Sequence, residues 1–197
     1  PFALQILEPM GRHRLVIAAN DTGIECDLVF TPRTACIEEG RQTLRNERFI
    51  VMDATRLDQF GFWSGWIRYD GKELKVDGRT TYGLKDRSWG IRPVGEAYSG
   101  GAPMAEYQAV HFCWMPIHWE TECSLAGWFE DGTGHQWHTD QAFLPHYPSV
   151  DAIPGTTDPN ARVWQGVVEH KIAMIPGTRR AKSAIVTMHD RSGERME

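Results

Sequence analysis

The chain has 197 residues, 41% of them hydrophobic and 24% charged, and a formal net charge of −5. That length buries a real core as one large domain or two small ones, and the composition is ordinary for a globular protein. The acidic balance, with no basic run longer than Arg179-Arg180, weighs against a nucleic-acid or anionic membrane partner, and no apolar stretch reaches the ~20 residues of a bilayer span.

From the N-terminus onward the periodicity is that of β-structure. No signal peptide is visible, and a start on Pro1 rather than Met is what a piece of a longer chain would show. Apolar residues fall on every second position in Ile24-Glu25-Cys26-Asp27-Leu28-Val29-Phe30, again along Trp164, Val168, Ile172 and Met174, and again at Ala184, Val186 and Met188. The pattern predicts strands over 12–19, 23–31, 47–53, 59–69, 72–78, 86–92, 110–119, 123–130, 135–143, 162–175 and 181–190. Turn signals separate them at Asn20–Gly23, Asp70-Gly71, Asp131–Gly134 and Pro176-Gly177, where Asp-Gly supplies the positive φ of tight hairpins. Helix is expected only as one or two turns over Glu38 to Arg45. Long strands with short turns and no crossover helices predict an all-β antiparallel barrel or sandwich in two packed halves. The Gly-rich stretch 94–108 is the expected linker between a first β-domain at 1–93 and a second at 109–197. That second part offers about five strands where a closed barrel needs roughly eight, so it reads as an incomplete or open domain. Pro145 to Asn160, with four prolines, is a second long loop.

Cys26, Cys36, Cys113 and Cys123 show no CxxC spacing and read as reduced thiols of a cytoplasmic protein, with a Cys113–Cys123 disulfide across a hairpin as the lesser alternative. Eight histidines invite a metal, yet His135 and His138, like His111 and His118, fall on opposite faces of their strands, so neither metal nor cofactor is expected. The chain has no Gly-x-Ser-x-Gly, phosphate-binding loop or dinucleotide fingerprint.

Chemistry is concentrated in Gly83-Leu84-Lys85-Asp86-Arg87-Ser88-Trp89-Gly90-Ile91-Arg92-Pro93. In an extended chain Asp86, Ser88 and Arg92 look one way, and Arg87, Trp89 and Ile91 the other. Asp86 is the best acid for proton transfer if burial raises its pKa. Arg92 is about 20 Å along the strand, too far to neutralise it. The commoner role for Asp86 and Ser88 is to satisfy neighbouring backbone donors in a tight strand entry, because structural ion pairs and caps outnumber catalytic acids. Either Asp86 or Arg92 is expected to reach a cavity between β-layers, with Trp89 packed behind as an anchor whose truncation costs about 3–5 kcal/mol. In Gln59-Phe60-Gly61-Phe62-Trp63-Ser64-Gly65-Trp66, glycines beside Trp63 leave either a ligand slot or room for a neighbouring aromatic. Trp114, Trp119, Trp128 and Trp137 fall on successive strands and form either a ligand wall or the core.

These two runs resemble the AttH-like and carotenoid-hydratase-like superfamily, a group similar also to fungal decalin-forming cyclases. The resemblance implies two lipocalin-like (calycin-type) antiparallel domains side by side, with Gly83 to Pro93 near their junction, around a bulky apolar small molecule such as an isoprenoid, lipid or polyketide. The expected site is then Asp86 and Arg92 as catalytic groups, with Gln59, Trp63, Trp89, Trp114, His118 and Trp137 as ligand contacts. A cofactor-free hydratase, isomerase or cyclase, a non-catalytic carrier, and a purely structural β-domain all remain open readings, because function lives in the site rather than the fold. No oligomeric state is implied.

Overall fold

The structure, a computed structural model, describes residues 1–46, 48–91, 111–189 and 195–196. Among them every paired strand is antiparallel and there is no α-helix, only a short 3-10 turn at Val150–Ala152. Three open sheets form.

The first holds eight strands: β1 (Phe2–Ile6), β2 (His13–Ile17), β3 (Ile24–Pro32), β4 (Ile37–Glu38), β5 (Gln42–Asn46), β6 (Phe49–Tyr69), β7 (Lys72–Val76) and β8 (Tyr82–Ile91). Its spine is the 21-residue β6, which pairs with β3, β4, β5, β7 and β8 along different parts of its length. Asp70 and Gly71, both at positive φ, turn β6 tightly into β7. The second sheet runs β12 (Arg162–Trp164), β11 (Gln136–Pro145), β10 (Glu122–Glu130), β9 (His111–His118). The third is β13 (Glu169–Met174), β14 (Ala181–His189) and β15 (Arg195–Met196).

Packing makes a layered sandwich rather than a barrel. Alternate residues of β10 serve opposite faces. Cys123 and Leu125, with Ala142 and Leu144, close against Ile37 and Phe60 of the first sheet, and Leu84 and Trp114 pack on the same cluster. On the other face Ala126 and Trp164 meet Met188 of the third sheet. The two halves of the chain therefore share a core. The first sheet keeps a second cluster of its own, Cys26, Leu28 and Val76 with Leu15, Ile17, Trp63 and Ile67 around them.

Several expectations are corrected. Residues Glu38 to Arg45 are not helical; they span β4 and β5, which pair with β6. Predicted strands 47–53 and 59–69 are one strand. Predicted strand 162–175 is two, in different sheets, and β1 was not expected. The expected linker 94–108 lies outside the described residues. All four cysteines are free, and the lesser disulfide alternative fails on register: Cys123 stands opposite His118 and Cys113 opposite Trp128.

Candidate functional site

The middle of β6 brings charged residues into the seam between the first two sheets. Antiparallel register places Asp58 beside Asp86 of β8 on one side and Ile37 of β4 on the other. Directly opposed residues point the same way, so Asp58 and Asp86 share the face on which Phe60 packs against the second sheet. Just past β4, the Glu39 N–H donates to the Arg56 carbonyl at 2.8 Å, which sets the Glu39 side chain beside that of Arg56.

Around Glu39 the donors converge. From β9, Trp114 Nε1 donates to Glu39 Oε1 at 2.8 Å, and Gln42 Nε2 donates to Oε2 at 3.2 Å. The Arg56 guanidinium lies 3.5 Å from Glu39 Oε1, 3.4 Å from Asp86 Oδ1 and 4.9 Å from the centre of the Trp114 ring. Asp58 is fully buried, and neither of its carboxyl oxygens receives a hydrogen bond. Burial, then the neighbouring Glu39 carboxyl and the charge of Asp86, push its pKa up to about 9, against the opposing pull of Arg56. At neutral pH Asp58 thus holds a proton beside the Glu39 carboxyl. A carboxylic acid that keeps its proton at pH 7 is the group an acid catalyst requires.

The expected site residues fall in different places. Asp86 lies at the rim of this seam, 42% exposed and ion-paired to Arg56, so it is not the buried acid; Asp58, its cross-strand neighbour, is. Arg92 lies outside the described residues. Trp114 joins the acid cluster directly. Trp89 is not a buried anchor: it is 45% exposed, with Arg87 6.0 Å from its ring. Trp89→Ala is therefore expected to cost about 1 kcal/mol or less in chemical unfolding, not the 3–5 kcal/mol of a buried aromatic. The glycine spaces are filled by the β3 backbone and by aromatics. A Cβ on Gly61 would run into the Thr31 carbonyl oxygen and stand 2.6 Å from the Phe30 ring, one on Gly65 would run into the Asp27 carbonyl oxygen, and one on Gly83 into the Trp63 ring. Trp63 packs edge-on to Phe30 at 5.3 Å. Gln59 is buried and donates to the carbonyls of Met10 and Thr34. The tryptophans of the second sheet do not form one wall, because Trp114 and Trp128 take opposite faces and Trp137 rests on Phe129.

His118 belongs to another cluster in the seam. It stacks on Tyr82 at 4.7 Å, donates to the Gly83 carbonyl and lies 3.5 Å from Cys123 Sγ, which is 3.3 Å from His146 Nε2. Burial lowers the pKa of both imidazoles and pushes the Cys123 thiol up to about 12, so this is a packed hydrogen-bonding group and not an activated nucleophile. Of two open surface hollows, one of about 170 Å³ lies by Met10 and Ile153. The other, about 420 Å³, lies between Glu38, Gly40, Asp140, Val163, Trp164 and Gln165, against the chain neighbours of Glu39. Among the described residues, the group suited to a metal is His111, Glu130 and His170, from three strands, which spacing within one strand had no means of revealing.

Sheets and site together define an open antiparallel β-sandwich protein with a proton-holding carboxyl buried between its layers. The chain belongs to DUF8625, a family of unknown function, whose model matches residues 1–197. No curated protein and no solved structure matches it.

Proposed function

We propose that this protein binds a bulky apolar small molecule, isoprenoid, lipid or polyketide-like, and acts on it by acid chemistry without an organic cofactor: hydration, isomerisation or cyclisation. The observation that carries the reading is Asp58, a buried carboxyl that keeps its proton at neutral pH beside a second carboxyl able to receive it. In hydration, Asp58 gives its proton to one alkene carbon, water adds to the other, and the proton lost by that water returns to the Asp58–Glu39 pair. Arg56 and Trp114 hold Glu39 in place, and a hollow adjoins its chain neighbours Glu38 and Gly40. The resemblance to carotenoid-hydratase-like proteins fits the same substrate class. Four free cysteines favour a reducing compartment, the cytoplasm.

One observation favours a second reading, a non-catalytic carrier. The register of the first sheet aligns Phe2, Ile17, Cys26, Ile67 and Leu74 in one apolar row, buried at its centre and exposed at Phe2 and Leu74. Incubation with a panel of isoprenoids and polyenes, followed by extraction and mass spectrometry, separates the two. Recovery of a hydrated or isomerised product that Asp58→Asn fails to make supports the enzyme. Recovery of bound but unchanged ligand supports the carrier, and no retained ligand overturns both.

A further inference from the structure

We propose that His111, Glu130 and His170 form a divalent-metal site, of zinc type, that clamps the third sheet onto the second. The site shares no residue with the acid cluster, so the two proposals stand or fall separately.

Three strands supply the ligands. His111 of β9 and Glu130 of β10 are direct cross-strand partners, so their side chains rise from the same face. β13 brings His170 over that face. Glu130 uses both oxygens: Oε1 is 2.7 Å from His170 Nε2, and Oε2 is 3.3 Å from His111 Nδ1. All three ligand atoms lie within 4.8 Å of one another. Metal–ligand bonds of ~2.0–2.2 Å at tetrahedral angles set ligand atoms roughly 3.3 Å apart, a spacing that the Glu130–His111 pair already has. Two imidazole nitrogens and one carboxylate oxygen suit zinc and its neighbours better than magnesium or calcium.

The surroundings hold these ligands as a metal site does. Gln136 Nε2 donates to Glu130 Oε1 at 3.2 Å and to the Val168 carbonyl at 2.8 Å, and Gln136 Oε1 accepts from the Val168 N–H at 2.9 Å. The carboxylate is therefore oriented by a glutamine that the chain entering β13 fixes at both ends. The His170 ring lies flat on Trp128, with centroids 5.0 Å apart and planes 16° from parallel. His111 is half exposed, which leaves an entry path and a free coordination position for water. The third sheet needs such a tie, because most of β13 and β14 is exposed and Met188 is its apolar anchor in the cluster with Ala126 and Trp164.

The test is calorimetric titration of chelator-treated protein with zinc chloride alone, alongside cobalt(II) absorption and thermal melting. One equivalent is expected to bind at roughly micromolar Kd or tighter, with visible cobalt bands of a four- or five-coordinate site and a higher Tm. His111→Ala, at a half-exposed position that folding tolerates, and Glu130→Gln should each weaken binding at least tenfold. His189→Ala, whose imidazole pairs with Glu169 on the neighbouring strands, should leave it unchanged. Absence of saturable binding overturns the proposal. So does binding that survives both His111→Ala and Glu130→Gln, or that is lost instead with Cys123→Ser.

Discussion

Asp58→Asn is expected to make the protein more stable above neutral pH, by on the order of 2–4 kcal/mol at pH 8. The reasoning is linkage. The folded-state pKa of Asp58 is raised to about 9 from its ordinary 3.8, so between those two pH values the native chain holds a proton that the unfolded chain has released. Stability from this group is therefore greatest below about pH 4. It falls by up to about 1.4 kcal/mol per pH unit through the window, and the fall ends near pH 9, where native Asp58 ionises as well. Asparagine keeps the shape but has no proton to lose, so its curve lacks this slope. Urea unfolding of both proteins from pH 5 to pH 9 reads the difference. A gap that does not widen with pH would mean that Asp58 is ionised in the native state, and the acid-catalyst reading would go with it. A widening gap identifies a residue that weakens the fold in order to carry a proton, the usual mark of a functional position.

Phe60→Ala should produce the largest loss of stability, about 3–5 kcal/mol. Phe60 is fully buried on the face of β6 that also carries Asp58, and it packs with Cys123, Leu125, Ala142 and Leu144 of the facing sheet, with the His118 ring edge-on at 5.1 Å. The surrounding strands are held by their own ladders and have little freedom to collapse into the space. Against a typical total of about 5–15 kcal/mol, such a loss leaves a marginal fold. Denaturant midpoints at constant slope measure it. A cost below about 1 kcal/mol would show that the first two sheets do not depend on one core.

The strand architecture was largely legible because alternation and turn chemistry are local. Ile24 to Phe30 alternates cleanly, and Asp70-Gly71 takes the positive φ that its composition requires. The candidate acid was illegible for a physical reason. The segment Ala54-Thr55-Arg56-Leu57-Asp58 puts Arg56 and Asp58 where a buried strand would carry apolar residues, so the apolar period stops and β6 reads as two strands with a gap. The interruption that hid the strand is the site itself. Glu39 was concealed in the same way, in a stretch whose spacing suggested a helical turn and whose real partner is β6. Asp86 was visible because its run is unusual in composition, and it lies one strand away from the buried carboxyl. What lies over the glycines beside Trp63 is not local: β3 brings the Thr31 carbonyl and the Phe30 ring to Gly61 and the Asp27 carbonyl to Gly65. The histidine–carboxylate group needs three strands from two sheets, and no window of sequence contains it.

The unbroken length of β6 limits how descendants of this chain can change. Its first half is keyed to β5 and β8 and its second half to β3 and β7, so neither half slides independently. A single-residue insertion between Asp58 and Trp63 would reverse the outlook of one half relative to the other. Asp58 and Arg56 would turn away from the second sheet, or Trp63 and Ile67 away from their own cluster. The phase between the acid and the aromatic face is in effect a parity, preserved only by changes of two residues or none. Variation along this strand is thereby confined to substitution, and length changes are left to the turns at its ends.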